Sequence, residues 1–171
     1  MAHTRPDQAL FGIVQGGMHL DLRKRSIEHL ESIGDFPGYG IGGYSVGEPH
    51  EVMFETLAPL CADYMPRNKP RYLMGVCTPA NLLEGIERGV DMFDCIMPTR
   101  NGRNGMLFTR HGTINIKNAK WRDCFEPIDR GGAHPIDERY TLAYLHHLFK
   151  AEELTGLTLA SLHNVAFYLW L

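Results

Sequence analysis

The alternation of apolar and polar positions divides the chain into short strands and helices that follow one another in turn. An apolar run over 9–15 ends in Gln15-Gly16-Gly17 and reads as a strand. Over 19–33, Ile27, Leu30 and Ile33 recur at helical spacing, and Gly34 follows as a stop. A glycine-rich strand is predicted over 39–44. A helix follows over 49–64, with Val52, Met53, Leu57 and Leu60 inward and a bend at Pro59. A third strand covers 71–76. Thr78 and Pro79 have the chemistry of an N-cap and a first helical residue for a helix over 79–88. Gly89 stands where a C-terminal cap is expected. The fourth strand spans 92–97 and carries Asp94 within an apolar run, where a carboxylate is costly to bury unless it is paired or used. Pro98 ends it.

Strand-then-helix alternation implies an α/β fold with a parallel sheet and right-handed crossovers. No GxGxxG follows the first strand, so a dinucleotide fold has little support. Gln15, residues 43–46, Met74 with Gly75, and Asp94 all fall at C-terminal ends of predicted strands. That face carries active sites in (β/α)8 barrels and in open α/β sheets alike. After Pro98, Arg100 and Arg103 lie among Asn101, Gly102, Asn104 and Gly105, a composition that predicts a loop. A hairpin is expected from 106–110 and 113–117 about His111-Gly112. Residues 123–137 read as irregular. Helices are expected over 138–154 and 159–171, with Gly156 between them. The pattern leaves two readings of 88–105 open. Asp94 is a buried carboxylate capping its own turn, with solvated arginines beyond it, or it is an anionic nucleophile beside a phosphate clamp.

Composition narrows the class. With 171 residues, 44% hydrophobic and 22% charged, the chain fits a soluble globular protein. No run approaches the ~18 apolar residues of a membrane span, and the first ten residues have no apolar signal-peptide core. Cys61, Cys77, Cys95 and Cys124 form no CxxC pair, as expected of reduced thiols in a cytoplasmic protein. The net charge of −3 alone argues against a nucleic-acid partner, but its distribution argues the other way. Arg100, Arg103, Arg110, Lys117, Lys120 and Arg122 lie between 97 and 122 with no acid among them. Such a segment on an acidic body is a phosphate footprint or a solvated hairpin.

The stretch DMFDCIMPTRNGRNG (91–105) resembles the signature of the tRNA-guanine transglycosylases, the queuine tRNA-ribosyltransferase family. Collinear stretches agree: ALFGIVQGG (9–17), GYGIGGYSVGE (38–48), KPRYLMGV (69–76), INIKNAK (114–120), AYLHHL (143–148) and HNVAFY (163–168). The resemblance covers nearly the whole chain and is to the C-terminal half of bacterial-type members. It implies the second half of a (β/α)8 barrel, about four βα units, with a hairpin and irregular insertion and C-terminal helices. On that reading 1–104 is the half-barrel with base pocket and nucleophile. Residues 105–171 are a basic hairpin, a degenerate zinc-type subdomain and helices of the same structural domain.

The implied reaction exchanges a guanine at the wobble position of tRNA for a 7-deazaguanine, through a covalent Asp-ribosyl intermediate and without cofactor. By resemblance Asp94 is the nucleophile. Gln15, Gly43, Tyr44 and Met74 line the base pocket, and Arg100 and Arg103 lie near the RNA backbone. Asp91 reads as structural. The implied partners are tRNA, the deazaguanine base, the missing N-terminal barrel half and, when complete, a second copy in a homo-oligomer. The chain alone is expected to be inactive.

Departures from the family pattern change some of this. Tyr44 and Ser45 stand where bacterial members have Leu and Ala, and Cys77-Thr78 replaces Gly-Lys. Val46 agrees with bacterial members and favours the aminomethyl base. The family's Cys-x-Cys-x2-Cys and later His bind structural zinc. Here the matching positions are Gly132, His134, Asp137 and His163. A remnant of His134, Asp137 and His163 is one expectation; loss of the metal, with His163 buried in a helix, is the other and the preferred one. The rival functions are a catalytically silent RNA-binding or partner subunit of the same family and an unrelated sugar-processing barrel enzyme.

Overall fold

The four predicted strands pair side by side in sequence order, all parallel: β1 (Gly12–Val14), β2 (Tyr39–Ile41), β3 (Arg71–Leu73) and β4 (Met92–Phe93). These come from a computed structural model that describes Arg5 and residues 7–171. The chain divides into two units, Met1–Cys95 and Ile96–Leu171, and the sheet belongs to the first. Its helices are α1 (Leu20–Ile33), α2 (His50–Pro59) and α3 (Pro79–Glu87). The chain is therefore α/β, as the alternation implies.

Every strand is shorter than its apolar run. The ladder stops where glycines adopt positive φ, at Gly43 (φ 73) after β2 and Gly75 (φ 70) after β3. Residues that the pattern assigns to strand ends thus become loop residues just beyond the sheet. One sheet face is covered: Val14, Tyr39, Ile41 and Leu73 pack with Ile27, Met53 and Leu57 in one core. The other carries the register partners Ile13, Gly40, Tyr72 and Met92. Ile13 and Met92 are 47% and 46% exposed there.

The helix ends follow local chemistry. Thr78 caps α3 by accepting the Asn81 N–H at 3.1 Å, as its position predicts. At the other end Gly89 N–H reaches Ile86 O and Val90 N–H reaches Gly85 O, a Schellman closure with Gly89 at φ 86. The bend expected at Pro59 takes the form of a π-helical turn, Leu60–Tyr64, directly after α2. Asp91 joins β4 to β3 through its carboxylate and backbone, both bonded to the Arg71 peptide at 2.8–2.9 Å.

From the fourth strand onward four expectations are corrected. The fourth strand does not run to 97, and the arginine-rich segment is not a loop. It is helix α4 (Met97–Arg103), with Pro98 in the first turn. Glycine disfavours helices by about 1 kcal/mol in isolation, but a Cβ at Gly102 would lie 2.9 Å from the Ala160 backbone. Close packing on α7 (Leu154–Trp170) outweighs propensity here. The helix expected over 138–154 is two, α5 (Pro135–Arg139) and α6 (Leu142–Lys150), separated where Tyr140 is extended and Thr141 caps Tyr144 N–H at 3.1 Å. Gly156 lies inside α7 and not between helices. A Cβ there would come within 2.9 Å of Leu148, so it serves helix approach. The turn falls at Glu152, with φ 58.

The hairpin forms as predicted, from β5 (Met106–Thr109) and β6 (Gly112–Asn115). Leu107, Ile116, Ile136, Leu145 and Leu159 fill this unit's core. Asn164 ties it together. Its Oδ1 accepts the Phe108 N–H at 3.0 Å, and its Nδ2 donates to Pro98 O and Met106 O at 2.9 Å. Asn164→Ala leaves those buried groups unpaired, so it is expected to lower stability by about 2–4 kcal/mol. Urea unfolding of the two chains measures this; a difference below about 0.5 kcal/mol contradicts the clamp.

Candidate functional site

Side chains of a strand alternate between faces, so residues two positions apart point the same way. Gln15 follows Ile13, Met74 follows Tyr72 and Asp94 follows Met92. Each extends the uncovered face one residue beyond the ladder, at the C-terminal edge. The four strands of the first unit therefore bring Gln15, Gly42, Met74 and Asp94 to one edge, with Gly43 next in the chain after Gly42.

Asp94 is exposed, and it does not cap its own turn. Its Oδ1 accepts the Tyr72 hydroxyl and the Gly75 N–H, each at 2.7 Å. Both donors come from β3 and the loop after it. Among the described residues Oδ2 takes no hydrogen bond. Two donors on one oxygen fix the orientation of the carboxylate. The bond to Asp94, followed by burial, pushes the Tyr72 phenol above its ordinary value. The Cys95 thiol donates to Cys77 O at 3.1 Å and that of Cys77 to Gly75 O at 3.2 Å, so thiol bonds link the loop that supplies the amide to the residue after the acid.

Gln15 presents its carboxamide over Gly42 and Gly43. A Cβ at Gly42 would fall 2.6 Å from Gln15 Nε2, and one at Gly43 2.9 Å from Oε1. Only glycine leaves that space, and Gly43 also needs its positive φ. The Met74 sulfur is seated over Gly40, 3.4 Å from where a Cβ would stand. Tyr44 differs from these three. Its ring is 4% exposed, packed in the core beneath the Arg23 guanidinium at 3.7 Å, and burial raises its phenol pKa.

Three residues not singled out by the sequence pattern shape the same edge. Arg23 is fully buried, and burial lowers its pKa. It donates to Gly17 O at 2.7 Å and Gly42 O at 2.9 Å, joining the loops after β1 and β2. Glu48 accepts the N–H groups of Ser45 and Val46 (the latter at 2.9 Å). Burial works against its ionisation, but those amides outweigh it and bring the carboxyl below its usual range. Tyr72 is the third. Its signal was its parity with Met74 on β3; Arg23 and Glu48 look like ordinary helix and loop charges.

In the second unit Arg100 and Arg103 are exposed and three residues apart in the last turn of α4, hence on neighbouring positions of one helix face. Neither has an ion-pair partner among the described residues. The structure also brings His134, Asp137 and His163 together. Among the described residues no group of three or more His, Cys, Asp or Glu side chains is placed to hold a metal ion. No helix among them is long and apolar enough to cross a membrane.

Comparison with known proteins adds an independent line. A family model described as queuine tRNA-ribosyltransferase matches residues 1–171. The queuine tRNA-ribosyltransferase of Moorella thermoacetica is 52% identical over 166 residues, covering 97% of this chain and 44% of that protein. That of Herpetosiphon aurantiacus is 56% identical over 169 residues, covering 97% and 42%. That of Helicobacter pylori is 54% identical over 166 residues, covering 97% and 44%. The chain spans less than half the length of these curated relatives, in their C-terminal part.

The Tyr72–Asp94 bond has a spectroscopic consequence. A phenol whose folded pKa is raised contributes stability that is present at neutral pH and diminishes as pH rises through that raised value. In ultraviolet titration of the chain and its Tyr72→Phe variant, the difference spectrum should place Tyr72 above the ordinary tyrosine range near 10. In an Asp94→Asn background it should move back down. An unshifted Tyr72 in both backgrounds contradicts the bond.

Proposed function

Because the chain belongs to the queuine tRNA-ribosyltransferase family, we propose that it supplies the nucleophile-bearing half of a transferase that exchanges a guanine of tRNA for a 7-deazaguanine base. The observation that carries this reading is Asp94, an exposed carboxylate held on one oxygen by Tyr72 and Gly75, at the same sheet edge as Gln15 and Met74. The mechanism is a double displacement at the ribose carbon. The free Asp94 oxygen attacks C1′, and the C–N bond to guanine breaks with its electron pair leaving on the base, which takes up a proton. The incoming base, losing a proton, then attacks C1′ from the vacated side, and the carboxylate leaves. Bonds made and broken balance, so the exchange needs no cofactor.

Gln15 offers an amide donor and acceptor to the hydrogen-bonding edge of a flipped base, and Met74 offers a polarizable surface for its ring. Tyr44 contributes through its backbone, since its ring is buried. Val46 favours the small aminomethyl base. Arg100 and Arg103 receive RNA phosphates, for which the planar guanidinium suits two-point binding. The parallel order β1-β2-β3-β4 supports placing the chain as half of a (β/α)8 barrel. The other half supplies the proton for the leaving guanine and closes the sheet, and the complete enzyme works in the cytoplasm as a homo-oligomer.

Two measurements test this reading. Combined with the N-terminal half of a relative, the chain should incorporate labelled guanine into tRNA and form an RNA adduct that survives denaturation. Alone it should do neither, because removal of acid–base help costs about 10²–10⁴-fold and the base lacks its second wall. An adduct of equal yield in Asp94→Ala would sink the nucleophile assignment, and ordinary turnover by the chain alone would sink the half-barrel. Separately, Arg100→Ala with Arg103→Ala should weaken tRNA binding and flatten its salt dependence by about one unit for each phosphate that is no longer neutralised. An unchanged slope returns both arginines to solvated surface.

A further inference from the structure

The family resemblance implies a structural zinc at Gly132, His134, Asp137 and His163. A structural zinc is closed by four nitrogen or sulfur ligands, each with a lone pair free for the metal. The residues here do not fit. Gly132 has no side-chain donor. His134 Nδ1 accepts the Ile136 N–H at 3.2 Å, and the His134 N–H donates to Asp137 Oδ2 at 3.0 Å, together forming the capping box that starts α5. Asp137 Oδ1 lies 2.7 Å from His163 Nδ1, with the two side chains 2% and 1% exposed. His163 Nε2 lies 2.8 Å from the Phe108 carbonyl oxygen. Both carboxylate oxygens and both ring nitrogens are therefore engaged with protein atoms.

The space is taken as well. A Cβ at Gly132 would fall 2.3 Å from Asp137 Oδ2, so the carboxylate occupies the room a ligand side chain at 132 would need. Glycine at 132 is thus what leaves the Asp137 carboxylate its place.

We infer that the Asp137–His163 pair does in this chain the cross-linking work of a structural metal, and that the second unit folds without zinc. The pair joins three elements distant in sequence: α5 through Asp137, α7 through His163 and β5 through the Phe108 carbonyl. The neighbouring Asn164 accepts the Phe108 N–H, so consecutive residues of α7 satisfy both peptide groups of one strand residue. Both ring nitrogens of His163 face oxygen atoms of other elements, so the imidazole is held at two points. His146 supplies a second buried imidazole bond in the same unit, to Ile116 O at 2.7 Å, and needs no metal either. None of this depends on the transferase reading.

The test uses the whole chain, purified from zinc-supplemented cells. Elemental analysis should find less than about 0.1 zinc per chain, and thermal unfolding by circular dichroism should be unmoved, within about 1 °C, by excess EDTA or by added zinc sulfate. Asp137→Ala, which leaves His163 buried without its partner, should lower Tm by about 10 °C, zinc or no zinc. Stoichiometric zinc, or a fall in Tm with EDTA, overturns the inference. So does an Asp137→Ala chain as stable as the original. If that variant does not fold at all, the zinc content and the EDTA series on the unsubstituted chain decide alone.

Discussion

The arrangement of the first unit depends on one constraint: four parallel strands in unbroken order, with side chains alternating between faces. Register pairs Ile13 with Gly40, Gly40 with Tyr72 and Tyr72 with Met92. The residues two positions further on, Gln15, Gly42, Met74 and Asp94, must then emerge at one edge on one face. A slip of one residue in any strand would turn that strand's contribution into the helical layer. The site is thus a property of the ladder. What the loops add is held by buried charge: Arg23 spans Gly17 and Gly42, and Arg71, itself nearly buried, reaches Met65, Pro66 and Gly89.

Much of this was legible in the sequence because it rests on period and punctuation. The strand–helix alternation, α1 to α3, the Thr78 cap, the Gly89 closure and the hairpin all follow from local chemistry that the neighbouring residues complete by themselves. Asp94, Gln15 and Met74 were legible as strand-end residues, and their roles came from resemblance. The misses have a different physical character. Helix α4 exists because Gly102 admits the backbone of α7, an approach by residues far along the chain that no window around Pro98 contains. Gly156 reads as a breaker for the same reason, since its use is to admit Leu148. Tyr44 is a pocket residue by resemblance, and its ring lies in the core beneath Arg23.

The hydrogen bonds to Asp94 illustrate the division further. Its donors are a phenol from the middle of the adjacent strand and an amide exposed by a glycine at positive φ. Neither is marked in the sequence as belonging to a carboxylate on the next strand. Pairing of β3 with β4 brings them together: Tyr72 is the register partner of Met92, so its ring extends along the face toward the end of β4. The positive φ of Gly75 belongs to the turn that gives its N–H to the same oxygen. A carboxylate at the end of a parallel strand therefore draws its support from the neighbouring strand's loop, and the strand pairing itself sets the orientation of its free oxygen.

The second unit meets the opposite demand. It has only a short antiparallel pair and relies on helices to cross-link segments far apart in sequence. Backbone pairing cannot reach across such distances without a sheet, so side chains must. His163 and Asn164 do this from consecutive positions of one helix, using amide bonds on one side and a histidine–carboxylate hydrogen bond on the other. A buried hydrogen-bonded polar pair gives little net stability against an apolar alternative of equal shape, because desolvation offsets the attraction. Its advantage over leucine is that it must be satisfied at fixed distances and angles, so it specifies one register of α7 against β5. A tetrahedral metal imposes the same kind of requirement. On the inference drawn above, a glycine, an imidazole and a carboxylate at the three thiolate positions keep the geometric specification while moving it from metal coordination to hydrogen bonding.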